Sequence, residues 1–261
     1  MRLIQKGLRM PRFAANLSLL FCEYPPIKRF AAAKLAGFNY VEMLFPYELD
    51  QARAKQEIER NDLTLVLINT AAGDWNAGER GFAAVPGAQD RFREEFEQAL
   101  QWAHALNAQF VHVMAGIAQG EEAQMIYIEN LRWAAEQTST QQLTIEPINP
   151  IDMPGYFLNN FSQAMDILKS VNAPNLHLQF DAYHAHRIAG NVLNAWQNYG
   201  NFAAHIQVAG AEGRHEPVNG AIDYHAFFEQ LDREQYAGVV CGEYFPKGRT
   251  EDGLGWIHST G

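Results

Sequence analysis

Between Phe13 and Glu243 eight short apolar runs alternate with longer amphipathic stretches, and no linker rich in Pro, Gly or Ser breaks the rhythm. Eight such units within 261 residues predict an α/β fold in which parallel strands close into a single TIM (β/α)8 barrel, not an open sheet. Phe13–Leu20 reads as the first buried strand. Further strands are predicted at Tyr40–Leu44, Leu63–Asn69, Phe110–Met114, Leu143–Ile148, Leu176–Asp181, His205–Val208 and Val239–Glu243. Pro26 opens a helix that Gly37 closes, the punctuation expected at its two ends, with Ile27, Phe30, Ala31 and Leu35 on one face. Other helices read at Asp50–Arg60, Gln89–Leu106, Tyr127–Gln137, Phe161–Ser170, Val192–Tyr199 and Tyr224–Leu231. Only 18 residues follow Glu243, which predicts a truncated last helix.

Charge and cysteine usage narrow the function classes. Thirty acidic residues against 20 basic ones give a net charge of −10, which opposes a surface built to neutralise nucleic-acid phosphates. Two cysteines, Cys22 and Cys241, make no disulfide framework, so a reducing, cytoplasmic setting is expected. No apolar run is long enough for a membrane span. The basic start, Met1 to Arg9, and the apolar stretch after it loosely imitate a secretory leader, but Asn16 and Ser18 interrupt that stretch. Residues 1–9 therefore read as an extension, with Met10 as an alternative start and 10–261 as the barrel domain. Without a phosphate cradle or GxGxxG motif, no nucleotide cofactor is expected. Oligomeric state is left open, a homo-oligomer included.

One connection is too long for the pattern. About 20 residues separate Asn69 from Gln89, with Gly73, Gly78, Gly81, Pro86 and Gly87 among them, together with Trp75 and Arg80. The stretch reads either as a surface loop or as a lid that brings Trp75 and Arg80 over a substrate.

Catalytic mouths of such barrels form where strands end. Four consecutive predicted strands finish in or beside Glu146, Asp181, Gln207 and Glu243. Three carboxylates drawn around one axis repel unless a cation sits among them. An all-oxygen donor set, Gln207 through its amide oxygen, predicts Mg²⁺ or Mn²⁺. His184 is placed to orient a ligand or to hydrogen-bond a substrate oxygen. Arg214, Lys247 and Arg249 are candidate anion-binding cations. His112 and Glu42 read either as mouth-lining groups or as satisfied polar residues of the interior, and Cys241 as packing.

Several motifs together resemble one family. Glu146-Pro-Ile-Asn149, Gln179-Phe-Asp181-Ala-Tyr-His184, His205-Ile-Gln207-Val, Gly242-Glu243-Tyr244 and the stretch Gly73–Gly81 are similar to the hydroxypyruvate isomerase family. These proteins belong to the xylose isomerase-like TIM barrels, and the likeness is strongest to the bacterial 2-oxo-tetronate isomerase branch. It runs from Met10 through essentially the whole chain. The resemblance implies that Glu146 and Glu243 are an acid/base pair as well as metal ligands, with Asp181 and Gln207 completing the ion's shell. Gln207 stands where many related epimerases carry His, and Asp152 where they carry a second Glu. The implied substrate is a small anionic 2-oxo acid with a 3-hydroxyl, hydroxypyruvate or 2-oxo-tetronate, whose carbonyl moves by one carbon through an enediolate. Competing readings are a ketose 3-epimerase, a barrel endonuclease and a non-catalytic carbohydrate-acid binding protein.

Overall fold

The computed structural model describes residues 11–218 and 220–258; the predicted extension 1–9 and its alternative start Met10 lie outside them. Nine strands form one parallel sheet: β1 (Arg12–Asn16), β2 (Tyr40–Glu42), β3 (Thr64–Leu65), β4 (Leu67–Asn69), β5 (Phe110–His112), β6 (Gln142–Ile145), β7 (Leu176–Asp181), β8 (Ala203–Val208) and β9 (Val239–Gly242). Their order is β3-β2-β1-β9-β8-β7-β6-β5-β4. The predicted strand Leu63–Asn69 is thus split at Val66. Its first half pairs with β2 and its second with β5. The same run closes the ring, because Met43 N donates to Leu67 O at 3.0 Å and Asn69 N to Leu44 O at 2.9 Å. Eight βα units and a closed barrel follow, as the sequence predicts.

The helices are α1 (Arg29–Leu35), α2 (Gln51–Arg60), α3 (Gln89–Leu106), α4 (Gly120–Glu136), α5 (Phe161–Val171), α6 (Ala182–Ala189), α7 (Val192–Tyr199) and α8 (Tyr224–Arg233). Four predictions need correction. The first strand stops at Asn16, whose side-chain oxygen accepts from Ser18 N at 2.9 Å and turns the chain. In α1 the buried residues are Phe30, Ala32 and Ala33, whereas Leu35 is 90 % exposed: the preceding turn, Pro26–Lys28, is a 3₁₀ helix and shifts the phase. Helix α4 starts seven residues before Tyr127, at Gly120. Helix α6 was not foreseen, because Asp181 both ends β7 and caps the helix by accepting from Tyr183 N and His184 N. The last described element is a 3₁₀ helix, Thr250–His258, at the place where a stunted last helix is predicted. Among the described residues, no helix is long and apolar enough to cross a membrane.

Strand phase sorts the interior. Alternate residues face the helices, where Phe180, Trp196 and Phe227 pack edge-on at 5.2–5.6 Å in the main core. The others face the barrel axis. There Ala14, Leu67, Val239 and Cys241 form a small apolar plug against Tyr40 and Phe110. Two residues further on, in the same phase, come Asn16, Asn69, Glu243, Glu42 and His112. On β6, β7 and β8 that phase holds Thr144 and Glu146, Gln179 and Asp181, and His205 and Gln207. The barrel is therefore apolar at its base and polar toward the strand ends.

Candidate active site

Three carboxylates meet at the mouth: Glu146 just past β6, Asp181 ending β7, and Glu243 just past β9, all at most 6 % exposed. One guanidinium answers them. Arg214 Nη2 lies 3.2 Å from Asp181 Oδ2 and is hydrogen-bonded to Glu243 Oε2. Burial works against the charge on Arg214, but Glu243 and Asp181 outweigh it and hold the group protonated. Burial also pushes all three carboxyls up. Glu146 rises far, driven further by the charges of Glu243 and Asp181, and Glu243 reaches about 8 despite Arg214. Asp181 rises less, because Arg214 and the amides of His184 and Tyr183 favour its anion. The positive φ of Arg214, 53°, is an unusual conformation for a residue with a Cβ; the loop after β8 adopts it where the guanidinium reaches the carboxylates.

His184 joins this group. Its Nε2 is 3.8 Å from Asp181 Oδ2 and 4.0 Å from Glu146 Oε1. Which proton it carries follows from Asn149. The Asn149 side-chain oxygen accepts from Ile151 N and Asp152 N, so its amide nitrogen must face Asp152 and, at 2.7 Å, His184 Nδ1. Backbone N–H of Asn149 points at the same Nδ1 from 3.3 Å. Nδ1 is thereby an acceptor, and burial keeps the ring neutral, so the proton sits on Nε2 and faces the carboxylates. His184 is a hydrogen-bond donor at this site.

Among the described residues, Glu146, Asp181 and His184 form the one group of His, Cys or acidic side chains close enough to share a metal ion. The donor chemistry fits a hard divalent cation. Glu146 Oε1 is buried with no hydrogen-bond partner, and the three carboxylates exceed the single guanidinium in charge. Gln207 lies directly opposite Asp181 in register. Its amide nitrogen donates to Glu42 Oε1 at 2.7 Å and its oxygen accepts from Gln179 Nε2 at 2.8 Å. That oxygen keeps a second lone pair.

Below the mouth lies a layer that the sequence reading largely missed. Glu42, fully buried, accepts from Asn16 Nδ2 at 2.8 Å, from Gln207 Nε2 and, at 2.7 Å, shares a proton contact with His205 Nε2. Asn16 also reaches Glu243 Oε1 at 3.3 Å, and Gln179 donates to Glu146 Oε2 at 3.1 Å. Of the two residues left open, Glu42 is thus a satisfied interior group. His112 is the opposite case: its Nδ1 stands 3.8 Å from Glu146 Oε2, and neither ring nitrogen has a partner. Burial, aided by His205, lowers its pKa to about 3, so it is neutral. Burial raises the Cys241 thiol well above its usual range, as expected of packing.

The long connection after β4 is ordered by its own contacts. Arg80 stacks 3.6 Å over the Trp75 ring and donates to Trp75 O at 2.9 Å. Glu79 accepts from Asp74 N and from both Arg91 Nη atoms. Its base is fastened to the barrel where Gly81 pairs with Ala115. Lys247 is exposed, and Arg249 turns to Tyr24 and Glu251.

Comparison with known proteins agrees with this architecture. The profile of the xylose isomerase-like TIM barrel family matches residues 30–260. The chain is 44 % identical to a 2-oxo-tetronate isomerase of Cupriavidus necator over 95 % of its own length and 98 % of that protein. It is 38 % identical to the hydroxypyruvate isomerase of Escherichia coli over the same shares. A crystal structure described as an AP endonuclease, family 2, from Brucella melitensis superimposes with a TM-score of 0.92 at 40 % identity, covering 95 % of this chain and 98 % of that one. The chain therefore belongs to the xylose isomerase-like TIM-barrel family and, within it, to the isomerases of the hydroxypyruvate and 2-oxo-tetronate isomerase kind.

Proposed function

We propose that this isomerase moves the carbonyl of a small 2-oxo-3-hydroxy acid by one carbon, 2-oxo-tetronate to 3-oxo-tetronate or hydroxypyruvate to tartronate semialdehyde, with a divalent ion at the strand ends. The observation that carries the reading is the convergence of Glu146, Asp181 and Glu243, buried and short of positive charge, at one mouth. Glu146, Asp181, Gln207 and Glu243 would hold Mg²⁺ or Mn²⁺ through oxygen. Such an ion, when bound, polarises the substrate carbonyl and acidifies the neighbouring C–H.

The chain's own groups supply the rest. One of Glu146 and Glu243 removes the proton from the hydroxyl-bearing carbon, and a glutamate returns it to the former carbonyl carbon. The intervening enediolate carries negative charge on oxygen, which the Nε2–H of His184 and the guanidinium of Arg214 stabilise. Trp75 and Arg80, held together on the loop after β4, would act as a lid that keeps water from the enediolate. Lys247 remains a further candidate for the substrate carboxylate. The endonuclease alternative calls for several imidazoles around zinc and a basic groove. Here His184 presents a protonated nitrogen to two carboxylates, and the chain is strongly acidic.

Turnover in deuterated water, followed by NMR, tests the proposal. Isomerisation shifts the carbonyl; a 3-epimerase leaves it in place and exchanges one carbon-bound proton. Glu146→Gln and Glu243→Gln should each cost about 10²–10⁴-fold in kcat. Unchanged turnover in both variants, or a carbonyl that never moves, refutes it.

A further inference from the structure

The mouth has two chemically different sides. On one, Arg214 faces Asp181 and Glu243. On the other, β4 and β5 end side by side, with Asn69 and His112 as direct register partners. Both side chains share the phase of the residues that face the barrel axis. They are 6 % and 1 % exposed, yet the Asn69 oxygen and both His112 nitrogens have no hydrogen-bond partner. The Asn69 amide nitrogen has only the sulfur of Met114, 3.9 Å away. Buried polar atoms left unpaired in a pocket are costly unless a ligand completes them. Neither the acid/base chemistry nor the ion's donor set uses these three.

We infer that Asn69 and His112 form a hydroxyl-binding subsite that reads the terminal CH₂OH of a four-carbon 2-oxo acid. The inference rests on the isomerase reading above and names which of its substrates the site prefers. A hydroxyl both donates and accepts, and it meets an amide oxygen and an imidazole on their own terms. A carboxylate only accepts. It would face the Asn69 oxygen and the Glu146 carboxylate 3.8 Å from His112, so the substrate's carboxylate belongs to the other side of the mouth. Hydroxypyruvate has no carbon beyond the hydroxyl-bearing one and leaves this subsite unfilled, whereas 2-oxo-tetronate fills it.

The test compares kcat/KM of the Mn²⁺-loaded full chain on 2-oxo-tetronate, on hydroxypyruvate and on 3-hydroxy-2-oxobutanoate, which keeps four carbons but lacks the terminal hydroxyl. The wild-type protein should prefer 2-oxo-tetronate over the deoxy acid by about 10²-fold or more, a comparison that needs no variant. Asn69→Ala should shrink that preference at least about tenfold, losing far more on 2-oxo-tetronate than on hydroxypyruvate. No wild-type preference, or equal losses on every acid, overturns the subsite while leaving the isomerase intact. No turnover of any acid overturns the isomerase reading, and the subsite with it.

Discussion

Without an ion, the carboxylates at the mouth should make the protein more stable as the pH falls toward neutrality. Burial, only partly offset by Arg214, raises the Glu243 carboxyl from its usual 4.5 to about 8. Below pH 8 the folded chain takes up a proton at Glu243, while the unfolded chain stays ionised there until the pH nears 4.5. The folded state then binds more protons, so stability present at low pH is lost as the pH rises through the folded value, at up to about 1.4 kcal/mol per pH unit. Integrated from pH 8 to 6.5, Glu243 alone contributes about 1–2 kcal/mol, a few °C in Tm for a chain of this size. Glu146, raised in the same direction, adds to it. The buried His112 and His184, whose pKa values are lowered, oppose the trend already as the pH nears 6.5, where the unfolded imidazoles are half protonated, and more below it, which makes the upper part of the window the informative one. Thermal melts of EDTA-treated protein at half-unit intervals measure the effect. Saturating Mn²⁺ should abolish the rise, because ligating carboxylates must be ionised. A metal-free Tm that stays flat or drops between pH 8 and 6.5 refutes the reasoning.

Chelation should also remove turnover, with recovery on adding Mg²⁺ or Mn²⁺; full activity in a stripped preparation, checked by metal analysis, contradicts the ion's role. Gly81→Ala should unfasten the loop after β4, because at φ 97° an added Cβ would lie 2.6 Å from Met114 O. A cost of about 1–3 kcal/mol in denaturant melts, with raised KM, is expected. Asn149→Ala removes the side-chain amide from His184 Nδ1 and leaves only the backbone N–H, 3.3 Å away, to hold the tautomer, so kcat should fall up to about tenfold while Mn²⁺ affinity, read by calorimetry, changes little. A tenfold loss of ion affinity instead would make His184 a ligand.

Periodicity made the fold legible. Leu176–Asp181, Gln89–Leu106 and Val192–Tyr199 have the boundaries their patterns predict. It failed where a side chain acts on its own backbone: Asn16 turns the first strand, and Asp181 starts a helix at the very residue that ends a strand. The ring of Glu146, Asp181 and Glu243 could be found because an acidic residue at the end of an apolar strand stands out. Asn16, Gln179 and Asn69 could not, since a neutral amide inside a strand gives no sign of whether its partners are complete. His112 and Glu42 show the limit well. Both are polar groups in the inward phase, and only three-dimensional contacts reveal that one is saturated and the other unpaired.

The polar layer under the mouth joins Glu243 to Glu146 without a break, through Asn16, Glu42, Gln207 and Gln179. Every link between them is an amide N–H. An amide holds two oxygens at fixed places, but it does not give up its proton to one and regain it from the other as a hydroxyl or a water chain does. The layer therefore fastens the two glutamates together mechanically while insulating them from each other, and any proton that passes between them has to travel through the open mouth.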